Sequence, residues 1–91
     1  MTLCTLYLRF DLPEVHSLKG RRSLLNSLKE RLKLFNVSLL DISGDYPKEA
    51  EIALAFLSHD DASAAHYKEA ILQMLESRFP HLECEIDEEC F

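Results

Sequence analysis

Tryptophan is absent from the 91 residues, glycine occurs twice, and proline and cysteine three times each. So little glycine and proline excludes collagen-like and low-complexity architectures. With 47% hydrophobic residues, the chain has enough apolar material to collapse into a globule of regular elements. Its length predicts one domain, residues 1–91. No apolar run approaches the roughly 20 residues of a membrane-spanning helix. The start, Met1-Thr2-Leu3-Cys4, lacks the charged region, apolar stretch and small-residue cleavage site of a secretory signal. A soluble cytoplasmic protein with no membrane partner is therefore expected. Cys4, Cys84 and Cys90 form no Cys-x-x-Cys and no Cys–His cluster at zinc-ligand spacing. No metal and no cofactor are expected. The cysteines read as reduced thiols, Cys4 and Cys84 serving as small core hydrophobes, because a reducing compartment disfavours a disulfide.

Positive charge is scarce but concentrated. Residues 19–33 hold six of the ten Lys and Arg (Lys19, Arg21, Arg22, Lys29, Arg31, Lys33) and one acid, Glu30. That segment is +5 in a chain of −6, so everything else sums to −11. Such asymmetry marks a binding surface or a charge-balanced packing arrangement. The acidic total argues against wrapping long stretches of nucleic acid, although a local basic face can contact a few phosphates.

Residues 3–10 alternate, with Leu6, Leu8 and Phe10 on one face and Thr5, Tyr7 and Arg9 on the other, which predicts a half-buried strand broken near Pro13. Ser17 then offers an N-cap. Leu18, Leu24, Leu25, Leu28, Leu32 and Phe35 share one helical arc, and Lys19, Arg22, Asn26, Lys29 and Lys33 lie on the arc beside it. Arg21 points into the apolar arc, toward the sheet's end near Asp11 or Glu14, and Asn36 is a stop signal. Residues 37–42 suit a second strand whose buried face is ambiguous. Residues 50–57 suit a third strand that is apolar on both faces and hence central. Asp60 or its neighbours cap a second helix, apolar at Ala64, Tyr67, Ile71, Met74, Leu75 and Phe79, which Pro80 ends. Residues 81–87 alternate Leu82, Cys84 and Ile86 inward with Glu83, Glu85 and Asp87 outward, an edge strand protected by charge. Asp87-Glu88-Glu89 continues as a solvated tail. The order β-α-β-β-α-β predicts an α+β, ferredoxin-like fold: a four-stranded antiparallel sheet, order 4-1-3-2, with two helices on one face.

Three stretches, Leu12-Pro13-Glu14, Ser17-Leu18-Lys19-Gly20-Arg21-Arg22-Ser23 and Phe35-Asn36-Val37-Ser38, resemble the bacterial YlxP-like proteins, a domain of unknown function. The resemblance continues through Ala50–Ser58 and covers nearly the whole chain. It implies the same ferredoxin-like fold and no established activity; relatives often lie near translation and ribosome-maturation genes. Two departures stand out. The family usually carries an acid where Gly20 stands, and that acid would complete a capping box with Ser17. Relatives also carry an aromatic-containing polar stretch between the second and third strands, where this chain has Gly44-Asp45-Tyr46-Pro47-Lys48-Glu49.

Cations in the first turn of a helix oppose its dipole, so Lys19, Arg21 and Arg22 beside Ser17 call for an anion, either the protein's own carboxylates or an external phosphate or carboxylate. The leading expectation is a non-enzymatic module binding structured RNA or a ribosomal assembly through Lys19, Arg21, Arg22, Lys29 and Lys33. The alternative is a protein-interaction or homodimer module using the outer sheet face at Tyr7, Ala53, Ala55 and Leu57. RNA stacking on that face is disfavoured, because strand three offers no outward aromatic and Glu83, Glu85 and Asp87 repel phosphate. A phosphate-acting small enzyme ranks last. Acylphosphatases share the topology, but residues 11–17 contain neither the Gly-rich cradle nor the Arg of their loop. His59 beside Asp60 and Asp61 reads as part of a helix cap, and no catalytic residue is expected.

Overall fold

Strict alternation makes β1 (Thr2–Asp11) the axis of the molecule: every even-numbered side chain from Thr2 to Phe10 is buried, while the odd-numbered ones face solvent or are half-exposed. A computed structural model describes the whole chain, Met1–Phe91. The elements that follow are α1 (Leu18–Leu32), β2 (Ser38–Asp41), β3 (Glu49–Ser58), α2 (Asp61–Arg78) and β4 (Glu83–Cys90). The sheet is antiparallel, in the order β2-β3-β1-β4. This is the ferredoxin-like arrangement the sequence predicts, with β3 and β1 central. Both helices cover the face carrying Leu6, Leu8, Phe10, Ile52, Leu54 and Phe56.

Local chemistry sets the helix starts. The Ser17 hydroxyl accepts from the Gly20 N–H at 3.1 Å, and the Asp60 carboxylate accepts from the Ser63 N–H at 2.7 Å. Hydrogen bonds from Ser63 hold the Asp60 carboxyl below its usual range, and both caps satisfy donors that the first turn leaves open. From α1, Leu25, Leu28 and Leu32 enter the core; from α2, Ala64, Ile71 and Leu75 do. Leu18 belongs to the apolar arc by angle but is 46% exposed, because it sits at the helix's first position beyond the sheet. Helix α1 stops at Leu32, capped by Lys33, rather than at Asn36. The Asn36 N–H instead donates to the Tyr67 hydroxyl, fixing the turn into β2. In β2, Leu39 faces inward and Leu40 outward, which resolves the ambiguity of that strand.

Gly20 occupies the third helical position, where the capping-box acid would stand. A methyl group added there would meet Ser17 Oγ at 3.4 Å and Val15 Cγ1 at 3.8 Å, ordinary contact distances. Gly20→Ala should therefore raise stability by about 0.5–1 kcal/mol, through the lost freedom of glycine in the unfolded chain. Urea unfolding monitored by circular dichroism measures it.

Two sequence expectations are corrected at the C-terminus. Residues 87–89 are part of β4, which runs on to Cys90, and not a solvated tail. Glu88 turns toward the helices and pairs with Lys68 at 2.9 Å. Cys4 and Cys90 form a disulfide and are not free thiols. The cause is register. Leu3 and Phe91 exchange both backbone hydrogen bonds, so Cys4 and Cys90 fall in the next, non-hydrogen-bonded pair. Facing side chains approach most closely in such pairs, and the two Cα atoms are 4.2 Å apart. Cys84 remains a free, half-buried thiol, as the sequence suggests. Burial and the neighbouring Glu85 carboxylate push its pKa up to about 11, which makes it a poor nucleophile at neutral pH.

A groove beside the first helix

The five cations singled out by sequence fall into three kinds of environment. Arg21, Arg22 and Lys29, with Asn26, Leu18 and Leu25, line a groove of about 350 Å³ between α1 and the outer end of β2. Asp41 supplies its one acid. Lys19 on the same helix and Lys33 at its C-cap lie outside the groove. Helical spacing alone brings Arg22, Asn26 and Lys29 to one side. Asp41, on the other wall, reaches them only through the sheet.

Arg21 does not meet Asp11 or Glu14. Its Nη1 donates to the backbone carbonyls of Tyr46 at 2.9 Å and Glu49 at 3.0 Å. It thereby fastens the β2–β3 connection to α1. Lys48 reinforces the same end: its Nζ donates to the Pro13 carbonyl at 2.8 Å, and its own carbonyl accepts from the Leu12 N–H at 2.8 Å. Neutral carbonyls orient the guanidinium without cancelling its charge, so Arg21 still adds positive potential to the groove. Lys29 is the one groove cation with a carboxylate partner, Asp41 at 2.9 Å. Burial alone would raise the Asp41 pKa, but hydrogen bonds from Ser43 and the Lys29 ammonium outweigh it and hold the carboxylate below its ordinary value. Lys19, Arg22 and Lys33 make no ion pair.

Negative charge gathers on the opposite side of the sheet. Asp11 stands between Glu49 and Glu83 in the register, and Arg9 between Glu51 and Glu85, which it contacts at 3.4 Å and 3.5 Å. Asp87 and Glu89 continue the acidic row along the β4 edge. A depression at the end of the sheet is lined by Asp11, Glu49, Glu83, Lys48 and His81 among others. Three carboxylates make it hostile to phosphate, and its lysine is engaged by Pro13. Its chemistry does not resemble an acylphosphatase cradle.

The second set of sequence-selected residues also shares one surface. Tyr7, Ala53, Ala55 and Leu57 all face outward, Tyr7 directly beside Ala53. The face extends beyond these four, to Leu3 and Leu40. Leu3 follows the same odd-number alternation as Tyr7 and was legible. Leu40 was not, because the β2 register is a tertiary fact.

Residues 3–87 match the family model described as Protein of unknown function (DUF503). The chain belongs to this family. It is the one to which the YlxP-like resemblance pointed. Among curated proteins no sequence match is found. Among solved structures, a protein of unknown function from Nitrosomonas europaea, NE2512, is similar over 100% of this chain and 90% of its own, at 20% identity and a TM-score of 0.59. The designed protein LFR1 1, described as having a ferredoxin fold, matches 98% of this chain and 86% of its own, at 10% identity and a TM-score of 0.56. A dimeric ferredoxin-like protein from an uncultured marine organism matches 98% and 92%, at 14% identity and a TM-score of 0.51. At such identities the likeness establishes the fold alone.

Proposed function

We propose that this member of the family is a non-enzymatic binding module whose α1 face takes the phosphate backbone of structured RNA, within a ribosomal assembly. The observation that carries this reading is the state of Lys19, Arg22 and Lys33. In a chain with 16 acidic residues they have no carboxylate partner; Arg22 lines the groove with Arg21 and Lys29, and Lys19 and Lys33 lie on the same helical arc outside it. Three unpaired cations on one face of the helix, beside two that are fixed in place, form a short positive stripe. A stripe of this size contacts a few phosphates and positions a partner without reading its sequence. The acids on the far side of the sheet orient the protein, since an RNA approaching that side is repelled.

Filter binding to a structured ribosomal RNA fragment across a salt series tests the reading. Affinity should fall linearly with salt on logarithmic axes. Replacing Lys19, Arg22 and Lys33 together with glutamine should flatten that slope by about 2–3, because each duplex phosphate neutralised by the protein contributes roughly 0.9 to it. Absence of binding at low salt, or an unchanged slope in the triple variant, overturns it.

A further inference from the structure

We propose that the Cys4–Cys90 disulfide is a thiol-exchange switch: an external thiol attacks Cys90, and the break releases residues 87–91 from the β1 edge while the rest of the fold stays closed. The switch lies on β4 and stands apart from the RNA reading of α1.

What holds β4 changes along its length. Cys84 and Ile86 are half-buried and pack against the core, whereas Glu88 and Cys90, next in the same alternation, are exposed. The apolar anchor therefore ends at Ile86. Asp87, Glu88 and Glu89 follow, which are poor strand formers in a chain already at −6. Helix α2 does not cover them. A groove of about 380 Å³, lined by Asp61, Ala64, Ala65, Glu88, Cys90 and Phe91, opens between the helix and this segment. What remains is the ladder to β1, with a long hydrogen bond from the Thr5 hydroxyl to the Glu89 carbonyl at 3.4 Å, the Lys68–Glu88 pair, and the disulfide. A partly solvated ion pair contributes little, and an edge ladder without buried side chains opens readily. The disulfide is the tie that decides.

Its two sulfurs differ in access. Cys4 is 1% exposed, whereas Cys90 is exposed and lines the groove. A thiolate attacking Cys90 Sγ forms a mixed disulfide there and breaks the bond to Cys4, whose sulfur leaves with the electron pair and takes a proton from water. A second thiolate attacks the external sulfur of the mixed disulfide, and the Cys90 sulfur leaves and is protonated in turn. The protein gains two electrons and two protons, and two thiols become one external disulfide. Cys84 cannot be the attacker, because it lies about 20 Å away along the same strand. Asp61 and Glu88 wall the groove, so a neutral or cationic thiol enters it more readily than an anionic one.

The released edge has a defined register. Leu3 and Phe91 exchange both backbone hydrogen bonds. The alternation of an antiparallel ladder places the next such pair at Thr5 and Glu89, while Cys4 and Leu6 bond toward β3. Release of residues 87–91 thus opens the Leu3 and Thr5 amides and leaves those of Cys4 and Leu6 paired, baring a stretch of β1 edge able to accept another strand.

Amide hydrogen exchange by NMR, on the oxidised protein and on the protein reduced with dithiothreitol, tests the release. On reduction Leu3 and Thr5 should lose protection by at least roughly tenfold more than Cys4 and Leu6. Cys90→Ser, at an exposed position, should show the reduced pattern without any reductant. Equal acceleration at all four amides means general destabilisation and overturns the proposal. So does unchanged protection of Leu3 and Thr5 in either sample. Cysteamine, a small cationic thiol, tests the point of attack: acid quenching and peptide mapping during reduction of the folded protein should place its adduct on Cys90. An adduct on Cys4, or none on Cys90, overturns that assignment. Salt-dependent RNA binding by Cys90→Ser leaves the α1 reading standing, so the two fail separately.

Discussion

Replacing Cys4 and Cys90 together with alanine should lower the stability of the oxidised protein by about 2–5 kcal/mol, the usual effect of removing a native disulfide from a small domain. The two cysteines are 86 residues apart in sequence, so the bond closes nearly the whole chain into one loop. In the chain-entropy account, long loops lose the most freedom in the unfolded state. For a domain of this size each 1 kcal/mol moves the thermal midpoint by roughly 4–8 °C, so the drop is large enough to see in a simple melt. Cys4 lies in the core at 1% exposure, and its truncation adds a small cavity cost. Chemical reduction of the wild type separates the two effects, because it opens the loop and keeps both sulfur atoms. Reduction should account for most of the drop. If reduced and oxidised wild type melt together, the bond contributes nothing to stability.

The strand that carries Cys90 also shows where a linear sequence stops being informative. Strand β1 was legible because apolar and polar residues alternate without a break from Leu6 to Phe10. The β3 strand was legible because it is apolar on both faces. The N-caps at Ser17 and Asp60 were legible because a side-chain oxygen three residues before a free N–H is a local event. The end of β4 was not. Asp87, Glu88 and Glu89 erase the alternation. What holds Glu88 inward is Lys68, twenty residues earlier, and what holds Cys90 is Cys4 at the other terminus. The candidate site divides in the same way. Helical spacing located the basic stripe and even the direction of Arg21. Its partners, two backbone carbonyls, have no signature in the sequence, and the Asp41 wall of the groove exists only because β2 pairs with β3.

The same partition implies that the adjacent arginines do different jobs. Arg21→Ala should destabilise the fold by about 1–3 kcal/mol, since charge-assisted hydrogen bonds are among the stronger ones and two are lost at once, although the Tyr46 carbonyl keeps the Glu49 N–H. Both bonds are partly solvated, which places the effect toward the lower half of that range. Arg21→Lys should recover only part of it, because an ammonium on a flexible stem does not reproduce the fixed fork of a guanidinium. Arg22→Ala, one position along, breaks no hydrogen bond or ion pair and should leave stability within about 0.5 kcal/mol. Its cost should fall on polyanion affinity instead. Urea unfolding and salt-series binding on the same three variants resolve the two roles. Loss of stability in Arg21→Ala with little change in Arg22→Ala establishes that the β2–β3 connection is held by Arg21. Equal stabilities would show that the carbonyl contacts are incidental and that both arginines belong to the external surface.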